Sequence, residues 1–335
     1  MKVVPLNIGI QIDCDIRNLT EQDYKDINDL YLEHLIVVFK DQAFQTLPFT
    51  KLCAKMGHFA NSEQMLWKRD GENTGKGKQP FLDPFTWTGT DNDYPVQRVT
   101  GEKTKKGMAT GIFGNGELDW HSNMNGEMDR ARGVALQGAG FCEKTHTAFM
   151  DTTKAYADLP DDIKERCEGV VGNYEYAPEN WAKGVPAPQL MTMKGFGIVD
   201  HKYTMPLVHE SFTGKKGLYF HFHNNCSFPT DPELKQILMD HCFQDKYVYE
   251  HEWHPGDIVI SDQVLTLHKR VEWDEEIVAK RVLHRITFHY DNIIDNYFEK
   301  YPGIKTYMDS SIGFAKEHGY VETIMKRRRY LKDIN

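Results

Sequence analysis

The chain has 335 residues, is 40% hydrophobic and carries a formal net charge of −9. That length and apolar content can bury a large core, which excludes a disordered chain, and no apolar run is long enough to cross a bilayer. The acidic balance argues against a general nucleic-acid binder; the one basic cluster, Lys326-Arg327-Arg328-Arg329, reads as a solvated helix face.

Met1 to Asn7 hold no signal-like apolar core, so a cytoplasmic protein is expected. Thr20 followed by Asp23 predicts an N-cap with an acidic first turn, after which Tyr24, Ile27, Leu30, Tyr31 and Leu35 recur at helical spacing. Leu35 to Phe39 suits a buried strand, and Phe49 to Met56 a second helix stopped by Gly57. From about 61 to 116 the pattern weakens into glycine, aspartate, lysine and threonine, as expected of an irregular insertion or lid beside a site. Its glycines lack the strand-to-helix context of a phosphate loop.

Gly133 to Leu136 and Thr147 to Met150 read as strands, Asp151 to Leu159 as a short helix, and Asp231-Pro232-Glu233 as a helix start with aspartate as cap. Tyr247 to Trp253 alternates like a strand, and Pro255-Gly256 supplies a turn before Asp257 to Asp262. His251 and His254 flank that turn and read as surface residues. The six cysteines, Cys14, Cys53, Cys142, Cys167, Cys226 and Cys242, form no CxxC pair and read as reduced, buried thiols. Many short strands with a few helices outside predict a mostly β chain with peripheral α and a jelly-roll core, the double-stranded β-helix. We expect one domain over 1–335 with a helical C-terminal extension at about 297–335.

The chemistry centres on Leu118-Asp119-Trp120-His121-Ser122-Asn123 and on His268, far downstream. Two imidazoles and one carboxylate hold ferrous iron on one face and leave the opposite positions open. The carboxylate usually stands two residues after the first histidine, where this chain has Asn123, whose amide offers only a neutral oxygen. Arg281 and Arg285 are four apart in a strand-like run, which alternation would point to one face, and a guanidinium fork captures a carboxylate with two hydrogen bonds. A metal and a carboxylate clamp together suggest a bound oxoacid. His221 and His223 form a competing pair, with packing or substrate contact favoured over a second metal.

In these residues the chain resembles the taurine dioxygenase-like group of iron(II)/2-oxoglutarate-dependent oxygenases. The similarity runs in order through Gly9 to Ile12, Leu35 to Gln42, Thr147 to Asp151, Ala155 to Pro160, Pro206 to His209, Gly214 to Tyr219 and Pro255 to Asp257. The resemblance implies that His121 and His268 bind iron, with Asn123 at the third ligand position. It also implies that Thr147 and Arg281 hold the distal carboxylate of 2-oxoglutarate, and that Arg285 faces the substrate or supports the co-substrate.

Three activities follow as expectations. The first is hydroxylation of a small, anionic substrate by molecular oxygen, with release of succinate and carbon dioxide. The second is halogenation, which needs Asn123 to swing aside, and the third is a jelly-roll binding protein without turnover. Neither nucleic acid nor membrane is expected as a partner, and a homo-oligomer is left open.

Overall fold

Local sequence fixes the first helix. Thr20 accepts a hydrogen bond from the Asp23 amide at 3.2 Å while the Asp23 carboxylate accepts one from the Thr20 amide at 2.8 Å, a reciprocal capping box. The structure, a computed structural model, describes residues 1–42, 46–57, 96–103, 118–122, 133–175, 202–211, 213–220, 226–271 and 274–288. The strands in chain order are β1 (Lys2–Pro5), β2 (Ile10–Asp13), β3 (Ile36–Phe39), β4 (Gln97–Val99), β5 (Gly133–Gly138), β6 (His146–Asp151), β7 (Val171–Glu175), β8 (Lys202–Pro206), β9 (Val208–Glu210), β10 (Lys216–Leu218), β11 (Cys226–Ser227), β12 (Val248–Glu252), β13 (Ile258–Asp262), β14 (Thr266–Val271) and β15 (Leu283–Phe288). The α-helices are α1 (Glu21–His34), α2 (Thr46–Met56), α3 (Thr152–Ala157), α4 (Asp161–Cys167), α5 (Leu234–Cys242) and α6 (Glu275–Lys280). Among the described residues no helix is long and apolar enough to cross a membrane.

A seven-stranded sheet in the order β1-β2-β3-β13-β5-β15-β4 forms one wall, and a three-stranded sheet, β12-β6-β14, forms the other. All pairings are antiparallel except β2 with β3. The central strands of the large sheet are buried on both faces. Ile10, Val37, Ala135, Ile258, Ile260 and Ile286 pack outward beneath α1 and α2, whereas Ile36, Val38, Leu136, Val259 and Leu283 pack inward against Phe149 and Trp253 of the small sheet. That double burial explains why β3 reads as an unbroken apolar run rather than an alternating one. The far side of the small sheet, with Ala148, Met150 and Leu267, is covered by Ala155 of α3 and Leu234 and Leu238 of α5. The result is the jelly roll expected, with its interior between the two sheets.

Four local expectations change. Part of the irregular 61–116 stretch is ordered: β4 pairs with β15 and closes the edge of the large sheet. The remainder of that stretch, apart from 96–103, lies outside the described residues, as do Asn123, His221, His223 and everything after Phe288. The helix expected at Asp231 begins at Leu234; Asp231 instead accepts from the Leu234 amide at 3.3 Å and is held by Arg166 at 2.8 Å. Arg281 is not on a strand. It terminates α6, whose start is capped by Asp274, and β15 begins two residues later.

His251 is the fourth correction, for it is buried, not a surface residue. Its Nε2 lies 3.2 Å from Asp257, whose carboxylate also meets Lys40 Nζ at 2.5 Å and accepts from the Asp41 amide at 3.2 Å and the His254 amide at 3.1 Å. Burial by itself would raise the Asp257 pKa, but the hydrogen bonds from His251, Lys40 and Asp41 outweigh it and hold the group at about 2. Gly256, at φ +91°, makes the turn that presents this carboxylate, and a Cβ there would collide with the Gln42 carbonyl.

Candidate metal and co-substrate site

His268 is the third residue of β14. Opposite it in register stands Phe149, an inward residue, so the imidazole enters the space between the sheets. The segment 118–122 lies along the free side of β14 and forms a bridge there. The His121 amide donates to the His268 carbonyl at 3.0 Å, the His268 amide donates back at 2.8 Å, and the Arg270 amide donates to Leu118 at 2.8 Å. Two residues far apart in sequence are thereby set side by side, with ring centroids 4.3 Å apart and planes inclined by 48°.

The tautomer of His121 follows from its neighbour. Its Nδ1 lies 2.6 Å from the Asp119 carbonyl oxygen, which only accepts, so Nδ1 carries the proton and Nε2 keeps the lone pair. That is the arrangement a metal ligand needs. Among the described residues no group of three or more His, Cys, Asp or Glu side chains is placed to hold a metal ion, so a metal held by this pair takes its further ligands from elsewhere. Two imidazoles fit iron(II) as part of a facial set with open positions.

Thr147, on β6, is buried and accepts a hydrogen bond from the Trp253 indole at 2.9 Å. Indole nitrogen donates only. The Thr147 hydroxyl therefore spends a lone pair on Trp253 and keeps its proton for an acceptor elsewhere, such as a carboxylate. Arg281 is almost wholly buried, its Nε has no hydrogen-bond partner, and no carboxylate among the described residues pairs with its guanidinium. Burial pushes it down to about 10, and the Cys142 thiol nearby, itself pushed up to about 12 by burial, stays neutral and cannot compensate it. A buried guanidinium stays charged and needs an anion. Arg285 of β15 is opposite Leu136 of β5, shares its inward face and is buried.

The two histidines are thus brought together, and Thr147, Arg281 and Arg285 are all buried around the same jelly-roll interior. Two participants have no counterpart among the expected site residues. Trp253 was legible only as one residue of an alternating strand. Arg270 stands two residues after His268, so alternation gave the signal that both share a face. In register it lies opposite Thr147. Burial first, and then the charge of Arg281, push its guanidinium down to about 8.

The model of the taurine catabolism dioxygenase TauD, TfdA family matches residues 2–287. The chain belongs to that family. It is a 2-oxoglutarate-dependent dioxygenase of the non-haem iron kind, and its cofactors are iron(II) and 2-oxoglutarate. A similar protein is the (S)-phenoxypropionate/alpha-ketoglutarate-dioxygenase of Sphingobium herbicidovorans, 24% identical over 277 residues that cover 80% of this chain and 86% of the relative. A crystal structure of AAD-2 in complex with Mn(II) and N-oxalylglycine shares the fold at a TM-score of 0.61 and 18% identity, covering 86% of this chain and 97% of that one. A second family model, DNA polymerase family A, matches residues 287–335. There the chain is 62% identical over 42 residues to DNA polymerase I of Streptococcus pneumoniae, a match spanning 12% of this chain and 5% of the polymerase. The two family matches meet at residue 287, at the end of β15.

Proposed function

We propose that this dioxygenase hydroxylates a small anionic substrate with molecular oxygen, while 2-oxoglutarate is converted to succinate and carbon dioxide. The observation that carries the reading is Arg281, a buried guanidinium with no carboxylate partner among the described residues, in the same interior as the histidine pair. When bound, iron activates oxygen and 2-oxoglutarate supplies the electrons that the substrate does not. His121 and His268 hold the metal, Asn123 takes the third ligand position by its place in the sequence two residues after His121, and the Asp119 carbonyl keeps the His121 lone pair on Nε2. Thr147 and Arg281 orient the co-substrate by its distal carboxylate, and Trp253 aims the Thr147 proton. Arg285 faces the substrate, which favours an anion such as a small carboxylate, the chemical class named for the Sphingobium relative. The apolar layer of Phe149, Leu136 and Val259 excludes water from the interior.

We take the oxygenase domain to end with β15 and the stretch at 297–335 to be a helical extension appended to it. Asn123 favours a second reading, binding without turnover, because a neutral amide weakens the metal's hold. The relatives described above carry dioxygenase names and lend halogenation no support. The deciding experiment is the visible spectrum of anaerobic protein with ferrous iron and 2-oxoglutarate, followed by succinate analysis after adding oxygen and a panel of small carboxylates. A charge-transfer band with substrate-dependent succinate is the expected result. A band without succinate would establish the binding protein, and no band would overturn both readings.

A further inference from the structure

We propose that His251 is a positioning residue for 2-oxoglutarate, holding the Trp253 indole so that the Thr147 hydroxyl is aimed at the distal carboxylate in one fixed direction. The inference rests on the co-substrate reading above and adds to it a residue that acts only through its neighbours. His251 is directly opposite Thr147 in the pairing of β12 with β6, and side chains opposite each other in an antiparallel pair leave the sheet on the same face. Both of its ring nitrogens are engaged. Nδ1 lies 2.9 Å from the Tyr249 hydroxyl and Nε2 lies 3.2 Å from Asp257. The Asp257 carboxylate is ionised and can only accept, so Nε2 carries the proton and Nδ1 accepts from Tyr249. Tyr249 keeps its own proton, because burial pushes the hydroxyl up to about 12.

The imidazole is thereby fixed in tautomer and in rotation. Its centroid is 4.5 Å from that of the Trp253 ring, with the planes at 72°. The wholly buried indole in turn donates to Thr147, and the Trp253 amide donates to the Thr145 carbonyl at 3.0 Å. His251 belongs to the small sheet, whereas Asp257 leads into β13 and Lys40 follows β3, both in the large one. The contact therefore also joins the two walls of the jelly roll beside Thr147. An apolar side chain at 251 would avoid the cost of burying an imidazole, but nothing would anchor its rotation against the indole.

The test compares the wild type with His251→Phe, Trp253→Phe and the double variant, each loaded with ferrous iron under anaerobic conditions. Dissociation constants are read from the charge-transfer band for 2-oxoglutarate and for 2-oxopentanoate, which lacks the distal carboxylate. His251→Phe keeps a ring against the indole but loses its anchors. It should weaken 2-oxoglutarate by about fivefold, the usual worth of one hydrogen bond, and leave 2-oxopentanoate unchanged. Trp253→Phe should cause a selective loss of similar size, and the double variant should lose no more than Trp253→Phe alone, since both act through one hydroxyl. Unchanged affinity for 2-oxoglutarate, equal weakening of both oxoacids, or losses that add in the double variant would overturn the assignment and leave His251 a structural residue. If His251→Phe does not fold, Tyr249→Phe decides: it removes only the hydroxyl at Nδ1 and must still weaken 2-oxoglutarate selectively. Failure of the wild type to bind 2-oxoglutarate at all would overturn the co-substrate reading itself, and this inference with it.

Discussion

Replacing Lys40 with methionine probes the polar hub that supports the site from behind. In the wild type, Asp257 is wholly buried and its carboxylate meets Lys40 Nζ at 2.5 Å, whereas the lysine side chain is 31% exposed. Removing one partner of a buried pair costs about 3–5 kcal/mol. The partial exposure of Lys40 and the hydrogen bonds that Asp257 keeps from the Asp41 and His254 amides place this case near the lower end, about 3 kcal/mol. His251 gives the prediction its sign. Burial keeps its pKa below the ordinary value in the wild type. Without Lys40 the uncompensated carboxylate 3.2 Å away draws a proton onto the ring and raises that pKa above its unfolded value. A group raised in the folded state stabilises fully below its unfolded pKa and loses that contribution as pH rises through the folded one. Urea unfolding should therefore show a larger deficit for Lys40→Met at about pH 8 than at about pH 5.5, on either side of the ordinary histidine value. The double variant Lys40→Met/Asp257→Asn should recover most of the loss. A deficit below about 1 kcal/mol at the higher pH, or equal deficits at both, would refute the argument.

Arg281→Ala should weaken 2-oxoglutarate on the order of a hundredfold, the worth of a bidentate charged contact, while metal affinity measured by Mn(II) paramagnetic resonance stays unchanged; equal loss of both would remove Arg281 from the co-substrate. Asn123→Asp should tighten ferrous iron by about tenfold or more by restoring a charged oxygen ligand, and unchanged affinity in an iron titration would place residue 123 away from the metal. His284 is held down at about 4, first by burial and then by the Arg98 charge, so its stabilising contribution is complete above the unfolded value of about 6.5 and is lost as pH falls toward 4. Denaturation at a series of pH values should show a loss of up to about 3 kcal/mol across that window in the wild type and a flatter profile in His284→Gln, and parallel profiles would contradict it.

Where local chemistry decides structure, the sequence was legible. Thr20 and Asp23 announced α1, the β-branched run Ile36-Val37-Val38 announced β3, and Gly57 ends α2, its amide donating to Cys53 at 3.1 Å. Where tertiary pairing decides, it was not. β4 is three residues of unremarkable composition that become a strand because β15 offers an open edge. His251 sits in a polar-looking segment and is buried because Asp257 folds back on it across the Gly256 turn. Arg281 was placed in the site for a reason only half right: it reaches the interior from the end of a helix rather than by alternation with Arg285. The histidine pair could be inferred from residue type, whereas its distance and tautomer depend on a backbone bridge that no spacing reveals. The sequence also reads as one domain through residue 287, where the match to one family model ends and the match to another begins.

The main-chain bridge between His121 and His268 has a consequence for how the enzyme is loaded. Its two hydrogen bonds set the separation of the imidazoles through peptide groups alone, so the spacing is inherited from the sheet and owes nothing to the ion. Metal uptake then meets a histidine pair whose backbone spacing is already set rather than one that the ion must template. A chelator should strip activity while the fold survives, unlike domains whose folding is driven by their metal. Replenishment with ferrous salt should be as fast as diffusion into the interior permits, with no refolding step in between.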